Sequence, residues 1–133
     1  RLQPRPRSRK ASAFSFVASP VAMQRRHPFD GVFDWARQQL HTGIGAADLA
    51  RAAAMSERNC YRRFKAAIGT TPAHWLQQGR VRAAKALLEE GRLDLQRVAA
   101  ACGFATLEAF RAAFRRHVGV APSVYRSGFG PFA

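Results

Sequence analysis

Five side chains offer the clearest chemistry in the sequence: Arg58, Asn59, Tyr61, Arg62 and Lys65. They share the outward face of one helix if Cys60, Phe64, Ala67 and Ile68 form its inner stripe. Arginine donates two parallel hydrogen bonds to guanine O6 and N7, and asparagine pairs with adenine N6 and N7. A tyrosine ring offers an apolar face to a thymine methyl. Such a face suits the reading of base edges, with Ser56 and Lys65 placed for phosphate. A second face is of another kind. With Leu107, Phe110, Phe114 and Val118 inward, Glu108, Ala109, Ala112 and Arg116 point out. Glu108 can accept from cytosine N4, whereas Thr106, Arg111, Arg115 and Arg116 suit the sugar-phosphate backbone. The expectation is an asymmetric reader: the first face discriminates sequence and the second mainly anchors. The bland alternative is a solvated basic face that touches phosphate alone.

Other chemistries are poorly supplied. Cys60 and Cys102 stand apart, and buried inert thiols are expected rather than redox sensors. His27, His41, His74 and His117 share no ligand spacing with each other or with the cysteines, so neither a metal nor a cofactor is expected. His41 and His117 fall near helix C-termini, where a cation is favoured. No nucleophile–base constellation is present, so catalysis would have to lie upstream of Arg1, as in a repair methyltransferase carrying such a helical part. Trp35 and Trp75 sit in helical stripes and read as core or half-buried packing.

The elements that must hold these faces are all helical. Phe29, Val32, Phe33, Ala36 and Leu40 recur at three and four, predicting a helix that ends near Gly43. Ala46–Ala54 reads as a short Ala-rich helix. Ser56 caps the next and Gly69 closes it. Thr71-Pro72 opens a helix that runs to Glu90, stopped by Gly91, with Ala83, Ala84, Leu87 and Leu88 inward. Asp94 caps a helix over Leu95–Cys102, Thr106 caps one ending at Gly119, and Pro122–Arg126 supplies a last turn or two. The fold class is all-α, about seven helices.

Laid on itself about 50 residues out of step, the chain repeats. Cys60, Phe64, Gly69, Pro72 and Trp75 meet Phe110, Phe114, Gly119, Pro122 and Tyr125. Upstream, Leu49-Ala50 and Ala54-Met55 meet Val98-Ala99 and Gly103-Phe104 one residue closer, so the second copy has an extra residue in its turn. Each copy is a short helix, a tight turn and a longer helix with a polar outer face, the layout of a helix-turn-helix. The predicted organisation is a flexible basic arm over residues 1–27 and a domain over 28–127. Within the domain the first motif spans about 46–69, the joining helix 72–90 and the second motif about 95–119. Residues 128–133 form a tail.

Charge and length agree. The chain has 133 residues, 22 Lys+Arg against 8 Asp+Glu, and a formal charge of +14. Residues 1–27 carry seven of the basic residues and no acid, with Ala13–Val17 too weak a strand pattern to stand alone. With 47% hydrophobic residues and 10 Phe, this is a folded chain with a surface suited to polyanions, not a disordered polycation. No apolar run approaches the roughly 18 residues of a membrane span, and no membrane partner is expected. The start at Arg1 suggests a fragment.

The stretch Gly103–Arg126 resembles the C-terminal signature of the AraC/XylS family of bacterial transcription regulators. The landmarks are Gly103-Phe104, Phe110, Phe114-Arg115, Gly119, Pro122 and Tyr125-Arg126. Upstream, Leu49-Ala50, Met55-Ser56, Phe64-Lys65, Gly69 and Arg80, Ala84, Leu87-Leu88 fit the same family. The resemblance implies a double helix-turn-helix domain that binds double-stranded DNA sequence-specifically in the cytoplasm and contacts RNA polymerase. It points to Arg58, Tyr61 and Arg62 as base contacts. It also implies a monomer for this fragment, with effector binding and dimerisation in a preceding part. Ala13–Val21, Pro28-Phe29 and Trp35-Ala36 are similar to the linker of the GlxA-type subfamily, where an amidotransferase-like sensing domain precedes. Two residues depart from the family pattern: Ala54 replaces the usual turn glycine, and Ala112 replaces an arginine of the second reading helix. The alternative class is a basic module that binds nucleic acid by charge alone.

Overall fold

The computed structural model describes residues 29–129. The predicted arm, the weak strand pattern at Ala13–Val17 and the end of the tail lie outside them. Seven α-helices follow in order: α1 (Asp30–Gln39), α2 (Ala46–Ala52), α3 (Glu57–Ile68), α4 (Pro72–Glu90), α5 (Leu95–Ala101), α6 (Leu107–Val118) and α7 (Pro122–Ser127). Among the described residues, a 3-10 turn over Leu40–Thr42 continues α1. Among the described residues there is no strand.

Four helix starts are fixed by side chains that accept from an otherwise orphaned backbone N–H. Ser56 Oγ accepts from Asn59 N at 3.1 Å, Thr71 Oγ1 from His74 N at 3.1 Å, Asp94 Oδ1 from Arg97 N at 2.8 Å and Thr106 Oγ1 from Ala109 N at 3.0 Å. Each such cap contributes about 1 kcal/mol. The helices they open are the ones predicted.

Helix α4 belongs to two cores at once. It packs against α2 and α3, and also against α5, α6 and α7. On the first side Leu49, Ala50, Cys60, Phe64 and Leu76 are buried. The rings of Phe33, Phe64 and Trp75 pack there with centroids 5.2–6.0 Å apart. On the second side Val81, Ala84 and Leu88 join Val98, Ala99, Cys102, Phe110, Ala113 and Phe114. The buried stripe of α4 therefore shifts around the helix between its halves. Ala83 lies on the side of Leu76 but beyond the first core, and it is exposed rather than inward.

Three further expectations are corrected. Ala67 and Ile68 are exposed, Ile68 at 40%, because the last turn of α3 is left uncovered after Phe64. Trp35 is 37% exposed on α1, while Trp75 is half-buried in the aromatic cluster. Helix α2 stops at Ala52, two residues early, because Ala54 takes the left-handed conformation with φ 59°. There the N–H groups of Ala53 and Met55 fold back onto the carbonyls of Leu49 and Ala50. The smaller differences are at ends: Cys102 caps α5 and Ser127 extends α7.

The equivalent turn of the second motif is tighter. Gly103 has φ 92°, and a Cβ built on it would lie 2.0 Å from the carbonyl oxygen of Leu40. That oxygen accepts from Arg80 Nε at 2.9 Å, and Arg80 Nη2 reaches the carbonyl of Ile44 at 2.6 Å. Burial lowers the Arg80 pKa. One guanidinium thus ties α4 to the segment after α1, against which the turn glycine rests.

Candidate nucleic-acid interface

Helix α3 is held by Cys60 and Phe64, which are 1% and 0% exposed. Its opposite side projects Arg58, Tyr61, Arg62, Lys65 and Ala66, which line one open concavity. Tyr61 is 49% exposed. Arg58, Tyr61, Arg62 and Lys65 are thus brought together as expected. Asn59 is half-buried beside them, and its Oδ1 accepts from Arg62 Nη2 at 2.8 Å. A two-point contact with adenine needs that same oxygen, so in this conformation Asn59 is engaged with its neighbour. The Ser56 hydroxyl oxygen is occupied as the cap acceptor, which leaves its O–H as the group able to donate outward.

Helix α6 repeats this scaffold with different chemistry. Phe110, Ala113 and Phe114 are buried, while Glu108, Ala109, Arg111, Ala112, Arg115 and Arg116 are exposed. Glu108 and Arg111 pair at 3.4 Å. The pair leaves Glu108 in water, and by itself contributes little to stability. Thr106 Oγ1 serves as the cap acceptor, like Ser56. Arg115 makes no ion pair among the described residues. Arg116 is turned toward α4, where its Nη1 donates to Gln77 Oε1 at 2.7 Å.

Gln77 is the residue that sequence reasoning missed. Its Oε1 also lies 3.1 Å from His117 Nε2, and the His117 ring stands 4.8 Å from that of His74. Since the carboxamide oxygen accepts from Arg116, His117 is the donor in this contact. The His117 pKa is lowered by burial first, then by His74 and Arg116. Burial and the contacts with His74 and Arg116 thus disfavour the charged imidazole, against the pull of the helix C-terminus. These contacts tie the end of α6 to the first turns of α4, and nothing in the spacing of residues 74, 77 and 117 signals them.

The cysteines have no access to such chemistry. Both are buried, and burial raises the Cys60 pKa and pushes Cys102 up to about 11. No group of three or more potential metal ligands occurs among the described residues. No described helix is long and apolar enough to cross a membrane.

A helix-turn-helix domain model matches residues 49–128. The HTH-type transcriptional regulator Rv1931c of Mycobacterium tuberculosis is 40% identical over 82 residues, 62% of this chain and 32% of that protein. The DNA-binding domain of the global transcriptional factor AdpA, solved in complex with a target DNA, is 38% identical. It superposes with a TM-score of 0.73, covering 77% of this chain and 92% of that one. An AraC-type transcriptional regulator from Chromobacterium violaceum shares the fold at 22% identity, with a TM-score of 0.69 over 80% of this chain and 95% of that one. The chain spans only 26–38% of the length of the curated relatives that match it first.

Proposed function

This chain belongs to the AraC-type helix-turn-helix family, and on that premise we propose that it is the sequence-specific DNA-binding part of a bacterial transcription regulator. The observation that carries the reading is the face of α3, where Arg58, Tyr61, Arg62 and Lys65 stand side by side on one open surface. Arg58 and Arg62 read guanines, Tyr61 meets an adjoining base, and Asn59 holds Arg62 in its reading conformation. Lys65, Ser56, Thr106, Arg111 and Arg115 serve phosphates, and Arg116 does so by releasing Gln77. Glu108 reads a cytosine through N4.

Helix α4 supports two-groove binding. Its 19 residues span about 28 Å at ~1.5 Å each, close to the roughly 34 Å between successive major-groove faces. Helices α3 and α6 then enter adjacent major-groove segments from one side of the duplex. Within a longer regulator the proposal extends to action in the cytoplasm beside RNA polymerase, with this part bound as a monomer and no catalytic role.

The test is selection of bound sequences from a random duplex pool at physiological salt, followed by base-substituted sites with Arg62→Ala and Glu108→Ala. An enriched motif whose specificity relaxes more with Arg62→Ala supports the reading. No motif leaves only charge-driven binding, and greater relaxation with Glu108→Ala reverses the assigned asymmetry.

A further inference from the structure

The two reading helices are equivalent residue by residue. Both have 12 residues, an N-cap hydroxyl (Ser56, Thr106) and a left-handed closing glycine (Gly69, Gly119). Asn59 and Arg62 on α3 therefore occupy the places of Ala109 and Ala112 on α6. Where α3 presents a held guanidinium, α6 presents two exposed methyl groups three residues apart, on one face of the helix. Glu108 and Arg111 border this window and form an exposed ion pair at 3.4 Å.

We infer that α6 is a specificity element that reads thymine C5-methyl groups through Ala109 and Ala112, and that it is more than an anchor. A Cβ methyl is short, so the helix can approach the base edges closely there, and apolar contact with a thymine methyl is the recognition available to it. Alanines three apart have Cβ atoms about 5–6 Å from each other, enough to cover one or two base-pair steps of ~3.4 Å. Glu108, one position before this window, adds an acceptor for an exocyclic amine. The second half-site thus presents thymine methyls beside a cytosine, whereas the first presents guanines. This inference rests on the DNA-reading proposal above.

Deoxyuridine separates the methyl from everything else in the base, because it keeps the pairing and the O4 acceptor. The selected duplex is remade with each thymine replaced in turn, and affinity for the full chain is measured at fixed salt. The α6 half-site is the one whose preferences survive Arg62→Ala. Replacement at one or two thymines there is expected to weaken binding about fourfold each, the effect of burying one methyl-sized group. With Ala109→Gly or Ala112→Gly, checked as folded by circular dichroism, thymine and deoxyuridine become equivalent at the corresponding position. Indifference to deoxyuridine throughout that half-site overturns the inference and leaves the DNA-reading proposal standing, as does a sensitivity that both glycine variants retain. A pool without any enriched motif removes the proposal and the inference together.

Discussion

Replacing Gly103 by alanine and Ala54 by glycine exchanges one residue type between equivalent turns, and the structure assigns the two changes opposite signs. At Gly103 the new Cβ would stand 2.0 Å from Leu40 O and 2.9 Å from Arg80 Nε. The side chain cannot be accommodated unless the Leu40 carbonyl retreats from Arg80. A left-handed alanine costs about 1 kcal/mol, and losing a hydrogen bond to a charged group costs about 1.5–3 kcal/mol more. The sum, about 2.5–4 kcal/mol, lowers Tm by at least ~10 °C for a domain of this size. At Ala54 the left-handed backbone with φ 59° is already strained, and glycine relieves about 1 kcal/mol. Greater freedom of the unfolded chain takes back about 0.5 kcal/mol, for a net gain of roughly 0.5 kcal/mol. Urea unfolding with both midpoints and slopes, alongside calorimetry, measures each. If Gly103→Ala costs less than about 1 kcal/mol, the close approach to Leu40 does not constrain the turn, and the reasoning fails.

Arg80→Ala strands the carbonyls of Leu40 and Ile44 and is expected to cost about 2–4 kcal/mol in urea unfolding. Arg80→Lys, which cannot fork to both, should recover less than half; full recovery would argue against the fork. The lowered pKa of His117 means that the unfolded chain takes up its proton first as pH falls through about 6.5. Stability from this source is complete above that value and is lost below it. The urea midpoint should therefore drop more between pH 7.5 and 5.5 in the natural sequence than in His117→Gln, and equal drops would refute the assignment. Lys65→Ala should weaken binding uniformly across sequences and reduce the salt slope by about one, as a phosphate contact does. A change in preference at one base pair would make Lys65 a reader instead.

Much of the fold was legible because its signals are local. Ser56, Thr71, Asp94 and Thr106 each act within three residues of themselves, and the helices they start are those predicted. The internal repeat placed Arg58, Arg62 and Lys65 on one face for the same reason: once Cys60 and Phe64 are inward, helical geometry settles the rest. A helical wheel tells which side a residue is on, yet not whether anything packs there. Ala67, Ile68 and Ala83 were misread on that account. Arg80 and Gln77 were out of reach because their partners lie 36–40 and 39–40 residues away with no periodic relation. Asn59 shows the limit within the site, since its residue type fits adenine while its oxygen is engaged with Arg62.

Helix α4, buried by one half of its length in each core, makes the joint between the two motifs as stiff as the cores themselves. A flexible tether would let the second motif search for its half-site; under the proposed two-groove binding, this rod would deliver it at one distance and one rotational phase. The phase is the stricter demand. Inserting five base pairs between half-sites turns the second by about half a helical turn, to the far side of the duplex. Binding should then fall to the level of the first half-site alone, whereas ten inserted pairs restore the side but exceed the reach. If the proposal holds, the spacing of the target is measured as well as its letters.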